Sequence, residues 1–209
     1  MSDSDQPTQP VRAFVAVPIP ADTRARVAAV QQRLRADGVK WVEPTNYHFT
    51  LRFLGNTAAP TLAALRAALS EALAECQAFP LTLRGVGAFP NRQRPRTIWI
   101  GVGEGRQELE ALAATVERVV VAVGCAPEPR PFRPHLTLGR VKAERPLPEL
   151  TRALEREPAD QEVERMEATA VVLMRSELRR TGPIYTPLAT FPLRAPAGDA
   201  GHAPETIPP

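Results

Sequence analysis

Two short stretches far apart in the chain repeat the same residue types, and those types could do chemistry together. The first is His48-Phe49-Thr50-Leu51 and the second is His135-Leu136-Thr137-Leu138. The chain has three histidines, and two of them lie in this pattern. A chance double match is roughly a one-in-several-thousand event. A single histidine on a strand is usually structural, but structural histidines have no reason to recur with a threonine at the same offset.

An imidazole beside a hydroxyl suits displacement at phosphorus. The imidazole takes or gives a proton near neutral pH, because its ordinary pKa is about 6.5. The hydroxyl donates a hydrogen bond to an anionic oxygen. Two such pairs facing one cleft would supply a base for the attacking oxygen, an acid for the leaving oxygen and two donors for the non-bridging oxygens. The residue types therefore indicate acid–base chemistry on a phosphodiester.

Both stretches have the composition of strands, and a strand would position these side chains. Residues 47–54 and 132–141 are rich in aromatic and apolar residues, and each has a glycine at or near its end. Because residues i and i+2 of a strand share a face, each histidine should share a face with the threonine two residues on. The intervening residues, including Phe53, should face a core. Each strand thus predicts an apolar side and a reactive side.

The same alternation suggests residues that contact the substrate. Arg133 precedes His135 by two residues and Arg52 follows Thr50 by two, so both arginines have the parity of the reactive face. A guanidinium there would add a charge-assisted contact to a phosphate. The alternatives are that Arg133 is an ordinary surface arginine and that Arg52 lies beyond the cleft.

Aromatic residues and a basic loop are further candidates. Trp41, Tyr185 and Phe132 are candidate walls for a nucleobase, although a core position is the favoured interpretation of each. A basic loop at 91–96 could follow an RNA backbone, and a solvated loop is at least as good an interpretation; its arginines are Arg92, Arg94 and Arg96.

The composition is that of an ordinary soluble globular protein. The 209 residues are 44% apolar and 23% charged, and no apolar run reaches the length of a transmembrane helix. The acidic N-terminus has no apolar segment of a secretory signal behind it, so we expect a cytoplasmic protein. The cysteines, Cys76 and Cys125, are far apart, and the histidines add no cluster at zinc spacing. We therefore expect no metal and no cofactor.

The basic residues are almost all arginine. The formal charge is +3, and of 26 basic residues only Lys40 and Lys142 are lysine. A G+C-rich genome favours arginine codons, which explains the large number of arginines. Phosphate recognition by guanidinium groups is the interpretation for particular arginines near the cleft.

The order of predicted elements repeats within the chain. Strands are predicted at 11–17, 47–54, 81–86, 97–102, 132–141, 163–174 and 184–193, and helices at 21–36, 60–76, 107–123 and 148–156. Strand 97–102 has the place in the second half that strand 11–17 has in the first, and a helix follows each.

This repeat predicts an α+β fold with two pseudo-symmetric lobes. Each lobe is expected to be a small, mostly antiparallel sheet with outer helices, with the cleft between the sheets. Residues 11–194 would form a single bilobal catalytic domain with repeats at about 11–96 and 97–194. Residues 1–10 and 195–209 are expected to be disordered tails. Because the two lobes already supply a two-fold cleft, we expect a monomer.

These stretches resemble a known family, the 2H phosphoesterases. The closer resemblance is to the bacterial RNA 2′,3′-cyclic phosphodiesterases, also called 2′-5′ RNA ligases. It rests on the two His-x-Thr-Leu strands with their flanks, 41–55 and 132–140, on the opening strand 14–18, and on Ser176-Glu177-Leu178 with Gly182-Pro183-Ile184-Tyr185.

The resemblance implies hydrolysis of an RNA or nucleoside 2′,3′-cyclic phosphate to a 2′-phosphate without a metal, with possible 2′-5′ ligation in reverse. It implies that His48 is the proton donor, that His135 is the proton acceptor, and that Thr50 and Thr137 hold phosphoryl oxygens. The residues alone do not separate the two histidine roles.

Two alternatives stay open at this point. The protein could bind RNA ends without turnover, or it could act on 2′-5′ oligonucleotides or another cyclic phosphate. The intact histidines and threonines of both motifs argue against binding alone, for which arginines would suffice.

Overall fold

In the computed structural model of the protein, residues 9–180 and 182–195 are described. Their strands form one nine-stranded sheet in which neighbouring named strands pair antiparallel. The strands are Val11–Pro18 (β1), Val39–Trp41 (β2), His48–Thr57 (β3), Phe79–Phe89 (β4), Thr97–Val102 (β5), Leu136–Val141 (β6), Glu162–Ala168 (β7), Ala170–Leu178 (β8) and Pro183–Pro192 (β9). The helices are Ala21–Arg33 (α1), Ala59–Leu73 (α2), Arg106–Ala122 (α3) and Pro148–Arg156 (α4).

The sheet consists of two half-sheets. The strand order is β7-β4-β5-β6-β3-β1-β8-β9, with β2 paired to the side of β6. Strand β3 and strand β6 meet in the middle through the pair Phe49–Leu136. Each histidine strand therefore lies at the inner edge of its half-sheet, next to its apolar neighbour β1 or β5.

Burial explains why these segments form their elements. Strand β1 is buried from Ala13 to Val17 on both faces, which fits its nearly continuous apolar sequence. Helix α2 buries its leucines at helical spacing, namely Leu62, Leu65, Leu69 and Leu73. Helix α1 packs against β7, α3 packs against β3, and α2 packs against α3 and β9. The core thus lies between the sheet and the helices, beneath the two histidine strands.

The predicted α+β class, with antiparallel strands and outer helices, is confirmed. The two sheets are, however, joined into one by the β3–β6 pair. The half-sheets also exchange strands: β4 joins β5 and β7, whereas β8 and β9 join β1. Each half-sheet thus takes strands from both sequence repeats. Alternation in the sequence shows the faces of a strand but not its partner, so it could not predict this exchange.

Several boundaries also differ from the prediction. The segment 163–174 is two strands, because the chain leaves one half-sheet after Ala168 and enters the other at Ala170. Strand β2 was not predicted, and β6 begins only at Leu136, after Pro131 and Pro134. The predicted disordered tails lie outside the described residues except for 9, 10 and 195. In the described part of the chain, no helix is long and apolar enough to span a lipid bilayer.

Candidate active site

His48 is the first residue of β3 and follows a short 3-10 turn at Pro44–Asn46. Its Nδ1 lies 2.8 Å from the carbonyl oxygen of Asn46, and its Nε2 lies 2.8 Å from Oγ1 of Thr50. Because a carbonyl only accepts, Nδ1 carries the hydrogen of the neutral ring and Nε2 accepts from the Thr50 hydroxyl. The backbone therefore sets the tautomer of His48.

His135 is held in the same way on the other half-sheet. It lies immediately before β6, and its Nδ1 is 2.7 Å from the carbonyl oxygen of Arg133. In both motifs the carbonyl two residues before the histidine accepts the hydrogen of Nδ1. Both rings therefore keep Nε2 as the nitrogen that takes up or releases a proton.

Aromatic rings fix the orientation of each imidazole. Phe14 lies 4.8 Å from His48 and Tyr185 lies 5.4 Å from it, measured between ring centroids. Phe89 meets His135 edge-on at 5.1 Å. Because both rings are packed as well as hydrogen-bonded, their positions are largely set before a substrate binds.

Burial lowers the pKa of both imidazoles. The pKa of His48 falls to about 4, because desolvation outweighs the hydrogen bond to Asn46, and the charges of His135 and Arg140 lower it further. Burial is also the main cause of the lowered pKa of His135, partly opposed by the hydrogen bond to Arg133, and Arg140 again adds to it. The two imidazoles therefore share one electrostatic environment, and both are neutral in the free protein at pH 7.

A cavity of about 550 Å³ opens beside these groups, and His48, Thr50 and Thr137 line it. One wall comes from the half-sheet of β3 and is apolar and aromatic; it includes Phe14, Phe53, Leu178 and Tyr185. The other wall is strongly cationic and includes Lys40, Arg140 and Lys142; Arg12 of β1 and Arg130 add two further cations, and Glu43 is the only carboxylate among the described lining residues. An anionic group joined to a flat apolar group would match both walls.

A β-bulge follows each reactive pair. In β3, Thr50 pairs with Ala16 and Arg52 with Val15, so Leu51 is an extra residue. In β6, Leu138 is the extra residue between the paired residues Thr137 and Gly139. A bulge shifts the alternation by one residue. The fifth residue after each histidine, and not the fourth, therefore faces the cavity: Phe53 in β3 and Arg140 in β6.

A family model described as the 2′-5′ RNA ligase superfamily matches residues 19–180. The chain belongs to this superfamily. An RNA 2′,3′-cyclic phosphodiesterase of Aeropyrum pernix is 42% identical over 78% of this chain and 92% of its own length. The protein TT0787 of Thermus thermophilus has a similar structure, with a TM-score of 0.74 and 32% identity, covering 88% of this chain and 99% of that one.

A nucleotide complex is known for a second protein of similar structure. The crystal structure of E. coli LigT complexed with 3′-AMP matches with a TM-score of 0.72 and 27% identity, over 88% of this chain and 98% of that one.

Of the substrate-binding residues predicted from the sequence, some line the cavity and others do not. Trp41 and Tyr185 line the cavity as predicted walls. Phe132 instead packs against the hydrophobic core. Arg133 is exposed and holds His135 through its carbonyl, while its side chain is not part of the cavity lining.

Arg52 lies outside the cavity, because the bulge at Leu51 turns it toward α3. Its guanidinium is paired with Glu117 and Glu128 and also donates to the carbonyl of Ala126. Only 10% of its side chain is exposed. The predicted contact of Arg52 with a phosphate does not fit this position.

The basic loop at 91–96 does not line the cavity either. The guanidinium of Arg92 donates to the carbonyls of Glu157 and Val86, so it holds the loop against the fold. Arg94 and Arg96 likewise lie outside the lining.

The sequence reasoning missed several cavity residues of this superfamily member. They are Arg12, Phe14, Lys40, Phe53, Arg130, Arg140 and Lys142. The sequence did contain an indication that Arg140 faces the cavity, because a glycine inside a strand, here Gly139, often marks a bulge. No comparable residue marks the bulge at Leu51.

Proposed function

We propose that this protein hydrolyses RNA ends that carry a 2′,3′-cyclic phosphate and leaves a 2′-phosphate. The observation that carries the proposal is a pair of backbone-oriented imidazoles, each in a motif with a threonine; His48 and both threonines line a strongly cationic cavity, and His135 lies two residues before the lining residue Thr137. Superfamily membership and several relatives named RNA 2′,3′-cyclic phosphodiesterase support it. The apolar wall of the same cavity suits the base of the terminal nucleotide.

In the proposed reaction His135 is the acceptor and His48 the donor of a proton. Nε2 of His135 removes a proton from water while the water oxygen bonds to phosphorus. The bond from phosphorus to the 3′ oxygen breaks, and Nε2–H of His48 gives its proton to that oxygen. The 2′ ester bond remains, and both histidines return to their starting forms after one proton exchange with solvent.

The hydrogen bond between Thr50 and His48 links protonation to phosphate binding. In the free protein the Thr50 hydroxyl donates to Nε2 of neutral His48. Once Nε2 is protonated it can no longer accept, so the hydroxyl becomes available to a non-bridging phosphoryl oxygen. Thr137 contacts the phosphate from the other half-sheet. With the 5′ hydroxyl of a second RNA in place of water, the same step would form a 2′-5′ linkage, and its reverse would cleave such a linkage to a 2′,3′-cyclic phosphate and a 5′ hydroxyl.

The charge of the phosphate is met by the protein's own cations in this proposal. Arg140 acts on both imidazoles, and Arg12, Lys40 and Lys142 line the same cavity. Hydrolysis should therefore be retained in excess EDTA. Loss of activity in the chelator, with recovery on adding a divalent ion, would contradict a mechanism without metal.

The test is incubation with the four nucleoside 2′,3′-cyclic phosphates and with RNA ending in a cyclic phosphate, with the product identified as the 2′- or 3′-phosphate. We expect the 2′-phosphate. The variants His48→Ala and His135→Ala should lose hydrolysis by about 10²-fold or more while still binding the RNA end. If the wild-type protein binds such ends and hydrolyses none of them, the protein is a binding protein instead. Cleavage of 2′-5′ oligonucleotides alone would reassign the substrate.

A further inference from the structure

We propose that Trp99 and Phe89 form a stacking subsite for the nucleoside whose 5′ oxygen enters or leaves at the phosphate. This rests on the proposed function and deepens it, because it adds a second nucleoside to the same site. The protein would then hold both partners of a 2′-5′ linkage, with the terminal nucleoside on the apolar wall of the cavity and the 5′-linked nucleoside on the other half-sheet. The pair Phe89 and Trp99 is called the aromatic shelf below.

Strand pairing places the aromatic shelf on the face of the sheet that carries the reactive groups. Trp99 on β5 is the direct partner of Thr137 on β6 and of Gly87 on β4. Directly paired residues of neighbouring strands have their side chains on the same face. Phe89 follows Gly87 by two residues, which keeps it on this face as well. Because Thr137 lines the cavity, the aromatic shelf lies on the cavity side of the sheet.

The indole of Trp99 lies flat on the sheet. Three consecutive carbons of its six-membered ring are 2.3, 2.3 and 2.8 Å from the point that a Cβ of Gly87 would occupy. A Cβ points away from the sheet, so similar distances to adjacent ring atoms place the ring across that direction. The Cβ position of Gly101 is 3.3 Å from the same ring. The two glycines therefore let the ring lie against the backbone with its other face toward the cleft, and both members of the aromatic shelf are partly exposed.

The aromatic shelf begins at the histidine that meets the attacking oxygen. Ring centroids are 5.1 Å apart between His135 and Phe89, and 5.2 Å apart between Phe89 and Trp99. In the proposed reaction His135 takes the proton of the attacking group, so a nucleoside that attacks through its 5′ hydroxyl has its sugar beside His135. Its base then reaches the row of rings that continues from the imidazole. Such rings suit any base, because stacking uses the π-face that all bases share.

A purely structural role explains the indole less well. Its Nε1 is buried and has no hydrogen-bond partner within 9–180 and 182–195. A buried donor without a partner lowers the stability of a protein. A phenylalanine would cover Gly87 without this cost. What the indole adds is a larger π-surface, and stacking on a base would use that surface.

The subsite serves the cleavage and the joining of a 2′-5′ linkage by the groups of the proposed reaction. In cleavage the 3′ hydroxyl bonds to phosphorus and gives its proton to Nε2 of His48. The bond from phosphorus to the 5′ oxygen breaks, and that oxygen takes a proton from Nε2 of His135. The products are a 2′,3′-cyclic phosphate and a nucleoside with a 5′ hydroxyl. Hydrolysis of the cyclic phosphate by water places no base on the aromatic shelf.

The test compares kcat/KM for cleavage of the 2′-5′-linked dinucleotide of adenosine with kcat/KM for the same compound lacking the base of its 5′-linked sugar. We expect the wild-type protein to favour the intact dinucleotide about tenfold or more. In Trp99→Leu this ratio should fall toward one, and in Trp99→Phe, which keeps an aromatic ring, it should lie between. The control is Trp41→Leu at the chain's other tryptophan, which lines the cavity of the terminal nucleoside and should keep the wild-type ratio.

Because each ratio is taken within one protein, a general loss of activity in a variant cancels from it. Hydrolysis of adenosine 2′,3′-cyclic phosphate is measured beside it for every variant. A wild-type protein that hydrolyses the cyclic phosphate but treats the two 2′-5′ substrates alike, or cleaves neither, would overturn the subsite and leave the proposed hydrolysis standing. A wild-type ratio in Trp99→Leu would overturn the subsite as well. Failure to hydrolyse any cyclic phosphate would instead overturn the proposed function.

Discussion

The two imidazoles are oriented by backbone carbonyls and not by carboxylates. In each motif Nδ1–H donates to the carbonyl two residues earlier. A carboxylate partner would favour the protonated ring, whereas burial and Arg140 lower the pKa of both rings here. The acid of the reaction must therefore gain its proton with the help of the substrate, since a bound phosphate anion raises the pKa of a nearby histidine.

The histidine pKa values should differ between the free protein and its complex with substrate, and this difference predicts two separate pH profiles. The free protein sets the profile of kcat/KM and the complex sets that of kcat. Because the free pKa values are lowered, to about 4 for His48, the bell of kcat/KM should lie on the acid side of the bell of kcat. Steady-state kinetics from pH 4 to pH 9 will measure both. Profiles that coincide, or a flat kcat/KM from pH 5 to pH 8, would contradict the assignment.

The threonine hydroxyls should contribute to the transition state. The variants Thr50→Val and Thr137→Val remove a donor with little change of shape, and each should lower kcat by about 10²-fold. Thr50→Val should also change the pH dependence, because Nε2 of His48 loses the hydroxyl that donates to its neutral form. Ser replacements, which keep the hydroxyl, serve as controls and should retain most of the activity. An unchanged kcat for both valine variants would remove the threonines from the mechanism.

At the scale of elements, the bulges decide which side chains face the cavity. The repeat in the sequence was enough to find the histidine and threonine positions, because they precede the bulge in each strand. Strict alternation then failed after Leu51 and Leu138. It assigned Arg52 to the reactive face and Phe53 to the core, and the structure has the reverse. A bulge depends on the register with a neighbouring strand, so a single strand's pattern rarely reveals it.

The positions of Arg52 and Arg140 predict opposite effects for two variants: one should lose stability and the other should lose activity. Arg52→Met leaves Glu117 and Glu128 near each other without their cation, so it should lower the free energy of unfolding by about 1–3 kcal/mol and leave kcat/KM nearly unchanged. Arg140→Met removes an exposed cavity cation, so it should lower kcat/KM at least tenfold with little loss of stability. Urea unfolding and steady-state kinetics on both variants check this. A large fall in kcat/KM for a fully folded Arg52→Met protein would restore the phosphate contact predicted from the sequence.

At the scale of the molecule, the site depends on how two half-sheets meet. The layout of the sequence predicted two related units and the correspondence of β1 with β5. It did not predict that the halves exchange strands or that β3 and β6 pair, because both features are long-range contacts with no local signal. The exchange has a consequence for function: β8 and β9 bring Leu178 and Tyr185 from the end of the chain to the cavity beside His48. Both sequence repeats are therefore needed to build either wall.

Because the half-sheets meet at Phe49, a substitution of this buried residue should lower kcat although its side chain does not line the cavity. Phe49 lies between His48 and Thr50, is fully buried, and forms the β3–β6 pair with Leu136. Phe49→Leu should cost about 1–3 kcal/mol of stability and let the two half-sheets shift relative to each other. A shift of about 1 Å between the imidazoles can cost about 10²-fold in rate, so kcat should fall even where the protein is fully folded.

Phe191→Leu is the matched control, because Phe191 is also a buried strand phenylalanine but pairs with Val171 at a distance from the β3–β6 junction. It should cost similar stability and leave kcat unchanged when both variants are assayed well below their unfolding temperatures. Binding of a non-hydrolysable RNA end should survive in both variants, since the cationic lining is retained. If both variants lose kcat in proportion to their stability, the junction has no special role in placing the two histidines. If only Phe49→Leu loses kcat, the Phe49–Leu136 pair between the half-sheets sets the distance across which the proton acceptor and the proton donor act.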